Sequence, residues 1–299
     1  MNITKWCAAG IALMVLVSGA DAQVTIDAFK DAGTFAAGFN DQGPPFVTEN
    51  NMGSHVHVPV GRANNDRVNR SYFQFDIAGN VPAGSVVTEV TFEFDVTRQG
   101  GSPNGQTAAD FSLHRVQAEW DEGTGSGNAG APTMDGVTFT MGTPTTSWMN
   151  LGGDFDAATS GTVLVDGPTD GDPGGGNLPP ITYSITSAKL ISDVQNIVDG
   201  SAADYGFILK NVIEDETTLG SAARVGSREG GLPARLVILF GSGVILGDVN
   251  MDGSVNLLDV GPFVQLIADQ EFQDEADLNQ DGFVNLLDVG PFVTLITGG

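Results

Sequence analysis

Two short stretches, SYFQFDI at 71–77 and VTFEFDV at 90–96, decide how the larger part of this chain folds. Apolar and polar side chains alternate in each, so Phe73, Phe75 and Ile77, or Phe92, Phe94 and Val96, share one buried face of an extended segment. Working outward, VTIDAF (24–29), HVHVPV (55–60), FSLHRV (111–116), YGFILK (205–210) and ARLVILF (234–240) are further strand candidates, separated by Gly, Pro, Asn and Thr-rich turns. Many short strands without regular helical alternation predict a mainly β fold, a sandwich or jelly roll over 23–240. One segment breaks the pattern: in SAKLISDVQNIVDG (187–200), Leu190, Ile191, Val194, Ile197 and Val198 recur at helical spacing, with Ser187 as cap and Gly200 as stop. The stretch DGPTDGDPGGGNLPP (166–180) reads as a long surface loop, and GSGVILG (241–247) as a short linker.

The first 22 residues read as a secretory signal, with Lys5 at the positive start, an apolar run from Ala8 to Val17, and small residues Ala20 and Ala22 flanking Asp21. The only cysteine, Cys7, lies inside it, so no disulfide framework is available to the secreted part. No other apolar stretch approaches membrane-span length. The chain carries 37 acidic against 12 basic residues, a formal charge of −25. That balance argues against nucleic acid and anionic membranes as partners and makes cations the natural counterparts. The expected location is extracellular or at the cell surface.

The acidity is most one-sided at the end, where 248–299 holds ten Asp or Glu and no Lys or Arg. Here DVNMDGSVNLLDVGPFV (248–264) returns as DLNQDGFVNLLDVGPFV (277–293). With Asp248 as position 1, Asn250 stands at 3, Asp252 at 5, Gly253 at 6, Ser254 at 7, Asn256 at 9 and Asp259 at 12. The second copy places Asp277, Asn279, Asp281, Gly282, Phe283, Asn285 and Asp288 in the same order. A 12-residue loop of this spacing delivers hard oxygens to Ca²⁺, with a main-chain carbonyl at position 7 and a glycine at 6 for the turn. Two ions are expected, one per loop. The following helices are expected to pair Leu258, Phe263 and Ile267 against Leu287, Phe292 and Ile296, with calcium contributing folding energy that so small a piece lacks.

Position 12 is Asp and not Glu, and no helical segment precedes either loop. A loop with one following helix, repeated once, resembles the type I dockerin over about 248–297. The resemblance implies a calcium-folded module that docks onto cohesin-like domains. Dockerins usually carry hydroxyls at loop positions 10 and 11, whereas this chain has Leu257-Leu258 and Leu286-Leu287. Pro262 and Pro291 require each helix to start late or kink. The larger region, through GRANNDRVNRSYFQFDIAGNVPAGSVVTEVTFEFDV, LHRVQAEWDEGT, ITSAKLISDVQNIVDGSAADYGFILKN and ARVGSREGGLPARLVILF, is similar to the DNRLRE-domain family, related to the disaggregatase repeat and to a carbohydrate-binding module family. That similarity implies an extracellular β-sandwich on polysaccharide-acting or surface proteins.

Other chemistry is thinner. His55 and His57 lie two apart, and a transition-metal site there competes with ordinary hydrogen-bonded strand histidines. Glu119, Asp121 and Glu122 flank Trp120 in AEWDEGT, an arrangement open to a catalytic pair or to a structural turn. Trp120 and Trp148 are the candidate glycan-stacking rings, with Tyr72, Tyr183 and Tyr205 behind them, and each also suits a core. Arg228 and Glu229 in SREGG read as an ion pair. The leading expectation is a non-catalytic carbohydrate- or surface-polymer-binding protein with a calcium-folded docking tail. A polysaccharide hydrolase or lyase and a purely structural surface protein are the alternatives.

Overall fold

The computed structural model describes residues 22–36, 47–63, 66–99, 108–127, 135–167 and 179–297. The predicted signal, apart from Ala22, and most of the predicted 166–180 loop lie outside them. The strands among the described residues are β1 (Ala22–Asp27), β2 (Lys30–Ala36), β3 (His57–Arg62), β4 (Val68–Gln74), β5 (Ser85–Gln99), β6 (Ala109–Arg115), β7 (Met141–Thr143), β8 (Thr146–Ser147), β9 (Gly161–Val165), β10 (Ile181–Thr186), β11 (Phe207–Asn211), β12 (Ala223–Gly226) and β13 (Arg235–Ser242). The α-helices among them are α1 (Ile77–Asn80), α2 (Ala188–Val198), α3 (Val260–Asp269) and α4 (Val289–Thr297).

Apart from the β7–β8 hairpin, the strands form one sheet ordered β1-β13-β5-β12-β3-β4-β11-β6-β9, with β10 on β5 and β2 on β4. Every strand pairing is antiparallel. The sheet curls at β3, so its two halves face each other across one core. Phe92 of β5 meets Phe73 of β4 at 5.7 Å between ring centroids and Phe75 at 6.1 Å, closing the sandwich with edge-on rings. The alternation in 71–77 and 90–96 thus does what the sequence requires, although β4 ends at Gln74 and Ile77 opens α1 while remaining buried.

The opposite face of the β4 half is also covered. Tyr72, Ile208 and Ala32 point away from the main core into a second cluster with Val116, Trp120, Val137 and Trp148, beneath the long excursion between β6 and β9. Double-sided burial explains why β2, KDAGTFA, shows no period-2 pattern in the sequence: all of its interior positions are buried. α2 forms as predicted, with Ser187 Oγ accepting from Leu190 N at 2.9 Å and Gly200 leaving the helix at φ 68°.

The predicted linker needs correction. β13 continues through Gly241 and Ser242, paired with Val86 and Ser85, so the strand consumes the first two linker residues. At its other end Gly247 N donates to Glu275 O at 2.7 Å, tying the segment to the tail. The tail has its own small core, in which Phe263 of α3 and Phe292 of α4 stack at 4.1 Å among Val249, Ala276 and Val284. Ile267 and Ile296 pack against this core as expected, but Leu258 and Leu287 do not: both are 68% exposed. They precede the helices and face outward. α3 and α4 begin only after the last loop aspartate, so Pro262 and Pro291 fall in the first turn, where no N–H is needed, and no kink is required. Among the described residues no helix is long and apolar enough to cross a membrane.

Candidate metal centres and binding cleft

Each repeat loop is an oxygen-lined ring built by its own backbone. In the first, Asp248 accepts from Asp252 N (3.0 Å) and Gly253 N (2.8 Å), while Asp259 accepts from Asn250 N (3.0 Å) and Asn256 N (2.8 Å). Asp252 Oδ1 accepts from Ser254 N, and Asn256 Oδ1 from Leu258 N, which fixes both side chains on the ring. The second loop repeats the scheme: Asp277 accepts from Asp281 N and Gly282 N, Asp288 from Asn279 N and Asn285 N, and Asp281 from Phe283 N. Gly253 and Gly282 stand at φ 86° and 85°, the left-handed turn that favours glycine at position 6. Met251 and Gln280, at φ 58° and 57°, pay a local cost to keep the same path.

Asp248, Asp259, Asp277 and Asp288 are buried, Asp259 and Asp288 completely, in a tail with no lysine or arginine to neutralise them. Buried carboxylates without a counter-charge are costly. The donor set, carboxylate and amide oxygens with a main-chain carbonyl, is that of a hard divalent cation, so the residues present fit calcium.

The profile of the dockerin type I domain matches residues 246–290. That stretch contains both loops and α3, and type I dockerins bind calcium and dock onto cohesin domains. The tail is therefore a dockerin-type calcium-binding docking module of the kind found in extracellular and cell-surface proteins. No curated protein matches the chain. The docking module exposes an apolar face. Leu257 and Leu286 are both 76% exposed, and Leu257 with Val260, Val264, Val289 and Val293 borders a groove of about 240 Å³ that continues to the stacked phenylalanines.

In the sandwich, the predicted stacking rings need correction. Trp120 is fully buried and Trp148 nearly so, each with its indole N–H satisfied, Trp120 by Tyr205 O at 2.8 Å and Trp148 by Thr138 O at 3.1 Å. Tyr72 stacks on Trp148 at 5.7 Å and its hydroxyl donates to Gly152 O. These rings are core, closed to a polymer arriving from outside, and Tyr183 is buried as well. Among the EWDEGT carboxylates, Glu122 is also tied into structure. Glu122 accepts from Asp31 N (2.8 Å) and from Arg228 Nη2 (2.8 Å), and Arg228 bridges on to Glu229 at 2.7 Å, the ion pair read from SREGG. Burial raises the Glu122 carboxyl, against the Asp31 N–H and Arg228, which lower it. Burial pushes Asp31 up to about 7, opposed by the Arg228 N–H and reinforced by Glu229 and Glu122.

Nothing in the sequence pointed to the sandwich's open cleft, of about 420 Å³. It gathers Arg67, Arg98 and Arg224 with His55, His57 and Asn69. Arg98 and Arg224 are directly opposite in the β5–β12 register, so their side chains leave the same face of the sheet. The histidine rings meet edge-on at 4.2 Å, and His55 Nδ1 accepts from His57 N. His57 is held down to about 4 by burial, then by His55 and Arg224. Sequence separations of 31 between Arg67 and Arg98 and 126 between Arg98 and Arg224 gave no motif to find.

Proposed function

We propose that this is an extracellular, non-catalytic adaptor in which a calcium-loaded dockerin-type tail docks onto a cohesin-like domain and the sandwich holds an anionic surface polymer or acidic polysaccharide. One ion per loop is held by Asp248, Asn250, Asp252, Asn256 and Asp259 with the Ser254 carbonyl, and by Asp277, Asn279, Asp281, Asn285 and Asp288 with the Phe283 carbonyl. Calcium supplies the positive charge that these rings lack. The leucines at loop positions 10 and 11, where dockerins usually carry hydroxyls, make the docking contact apolar and present it twice. The similarity of 24–240 to DNRLRE domains supports a surface role for the sandwich.

The observation that carries the polymer reading is the Arg98–Arg224 pair. The two arginines leave one face of the sheet beside Arg67 and two histidines, a basic cluster in a chain of net charge −25. Such an arrangement suits carboxylate or sulfate groups, which arginine binds with two parallel N–H bonds. The engagement of Glu122 by Arg228 and Asp31 favours a binding protein over a hydrolase using that turn. The test is binding of the full chain, with calcium present, to uronate-rich, sulfated and neutral polysaccharides. Retention on the acidic polymers, weakened by salt and lost in the Arg98→Ala, Arg224→Ala variant, is expected. Equal retention on neutral polymers, or release of new reducing ends, would overturn the reading.

A further inference from the structure

Among the described residues one trio of carboxylates, Asp31, Glu122 and Glu229, brings an oxygen of each within 4.8 Å of the others. They come from three remote places: β2, the loop after β6, and the turn between β12 and β13. Arg228 offers a single guanidinium to this group, bound to Glu122 and Glu229, and its side chain is 45% exposed. Asp31 does not share it. Its Oδ2 accepts from the Arg228 main-chain N at 2.8 Å, while Oδ1, in a residue with no exposed surface, has no hydrogen-bond partner. A buried carboxyl oxygen left without a partner is among the costlier features a fold can carry. The orphaned oxygen thus points to a missing ligand, independently of the clustering of charge.

We infer that Asp31, Glu122 and Glu229 form a calcium site in the sandwich, distinct from the two loops of the tail. All ligands are carboxylate oxygens, with neither His nor Cys, which selects a hard cation over zinc or copper. The open side of Glu229 leaves room for the waters that complete a six- to eight-oxygen shell. The ion clamps three segments otherwise joined mainly through Arg228. It also steadies one wall of the basic cleft, since Ser227, next to Arg228, donates to His55 O at 2.6 Å. This site goes beyond the proposed adaptor role and does not depend on it.

Terbium, a luminescent stand-in for calcium, separates this site from the tail. The tail has no Trp or Tyr, whereas Trp120 lies two residues before Glu122, and Lys30, next to Asp31, stands 4.7 Å from its ring centroid. Excitation of indole in the full chain should therefore light terbium at the trio, and calcium should displace it at lower concentration than magnesium. Glu122→Gln and the more exposed Glu229→Gln should each weaken binding by about tenfold or more, the usual cost of disturbing a metal site. Arg228→Gln, which leaves the carboxylates less neutralised, should bind terbium more tightly, and calcium should restore its thermal midpoint. Absence of indole-sensitised emission, emission that persists in both glutamine variants, or an Arg228→Gln loss of stability that calcium does not reverse would overturn the site. Preferential displacement by magnesium would overturn the assignment to calcium.

Discussion

The sandwich and the tail bury carboxylates in two different ways. Asp193, on α2, meets Lys189 at 2.5 Å, Arg115 at 3.5 Å and the Ser160 hydroxyl, and Asp95 on β5 meets Arg235 at 2.9 Å. The acidic interior of the sandwich is thus largely neutralised by its own cations, inside a core that joins both sheet halves. In the tail, Asp248, Asp259, Asp277 and Asp288 find main-chain N–H groups and no cationic side chain, around a core of five buried residues. A fold with many apolar contacts carries its own counter-charges, whereas one this small leaves the counter-charge to an ion, and with it much of its folding energy.

Chelation is the largest expected break between the two. Removing calcium should abolish amide protection in α3 and α4 while the sandwich keeps a cooperative thermal transition, as read by hydrogen exchange and calorimetry of the full chain. Loss of both transitions together would mean that β13, the 243–247 segment and the tail fold as one unit. The converse variant is Asp193→Ala, which takes the buried carboxylate from Arg115 and leaves Lys189 with Asp156 alone. Breaking a buried pair from one side costs about 3–5 kcal/mol, and the loss should appear in the sandwich transition alone, with the calcium midpoint of the tail unchanged.

A smaller effect separates docking from folding. Leu257→Ser and Leu258→Ser together should change tail stability by about 0.5 kcal/mol or less, as substitutions at exposed positions usually do. They should nevertheless weaken capture by a cohesin domain, most clearly when Leu286 and Leu287 are replaced as well. Smallest is a pH dependence confined to the sandwich. His57 titrates near 4 in the fold and near 6.5 when unfolded, so between these values the unfolded chain takes up a proton that the fold refuses, and stability falls as pH falls. Asp204, raised by burial from 3.8 to about 6, acts in the opposite sense: its contribution is full below about 4 and is lost as pH rises through 6. Asp31, raised by burial to about 7, acts in the same sense as Asp204, so His57→Gln should leave their joint trend exposed, measured as thermal midpoint against pH.

How far the sequence could be read varied with how local the signal was. The strands around Phe73 and Phe92 announced themselves because each buries one face toward the core, and α2 because its cap, its stop and its apolar stripe lie within one segment. The dockerin-type repeat was legible, since each loop's polar spacing falls within 12 residues. β2 was not, because it is covered on both faces and Ala, Gly and Thr carry no alternation. β9 and β10 were passed over although Val163 and Val165, and Ile181, Tyr183 and Ile185, alternate as strand residues do.

By itself, then, the sequence determined a β-rich body, a capped helix and a dockerin-type pair of repeat loops, all features written in neighbouring residues. Tertiary structure alone decided which aromatic rings face water. Trp120 and Trp148 looked available for stacking until the excursion after β6 folded over them, because burial depends on what covers a residue and not on its identity. Tertiary structure alone also brought Arg98 opposite Arg224, and Asp31 beside Glu122 and Glu229. Such sites rest on strand register and loop closure between segments far apart in the chain, and no local spacing encodes that proximity.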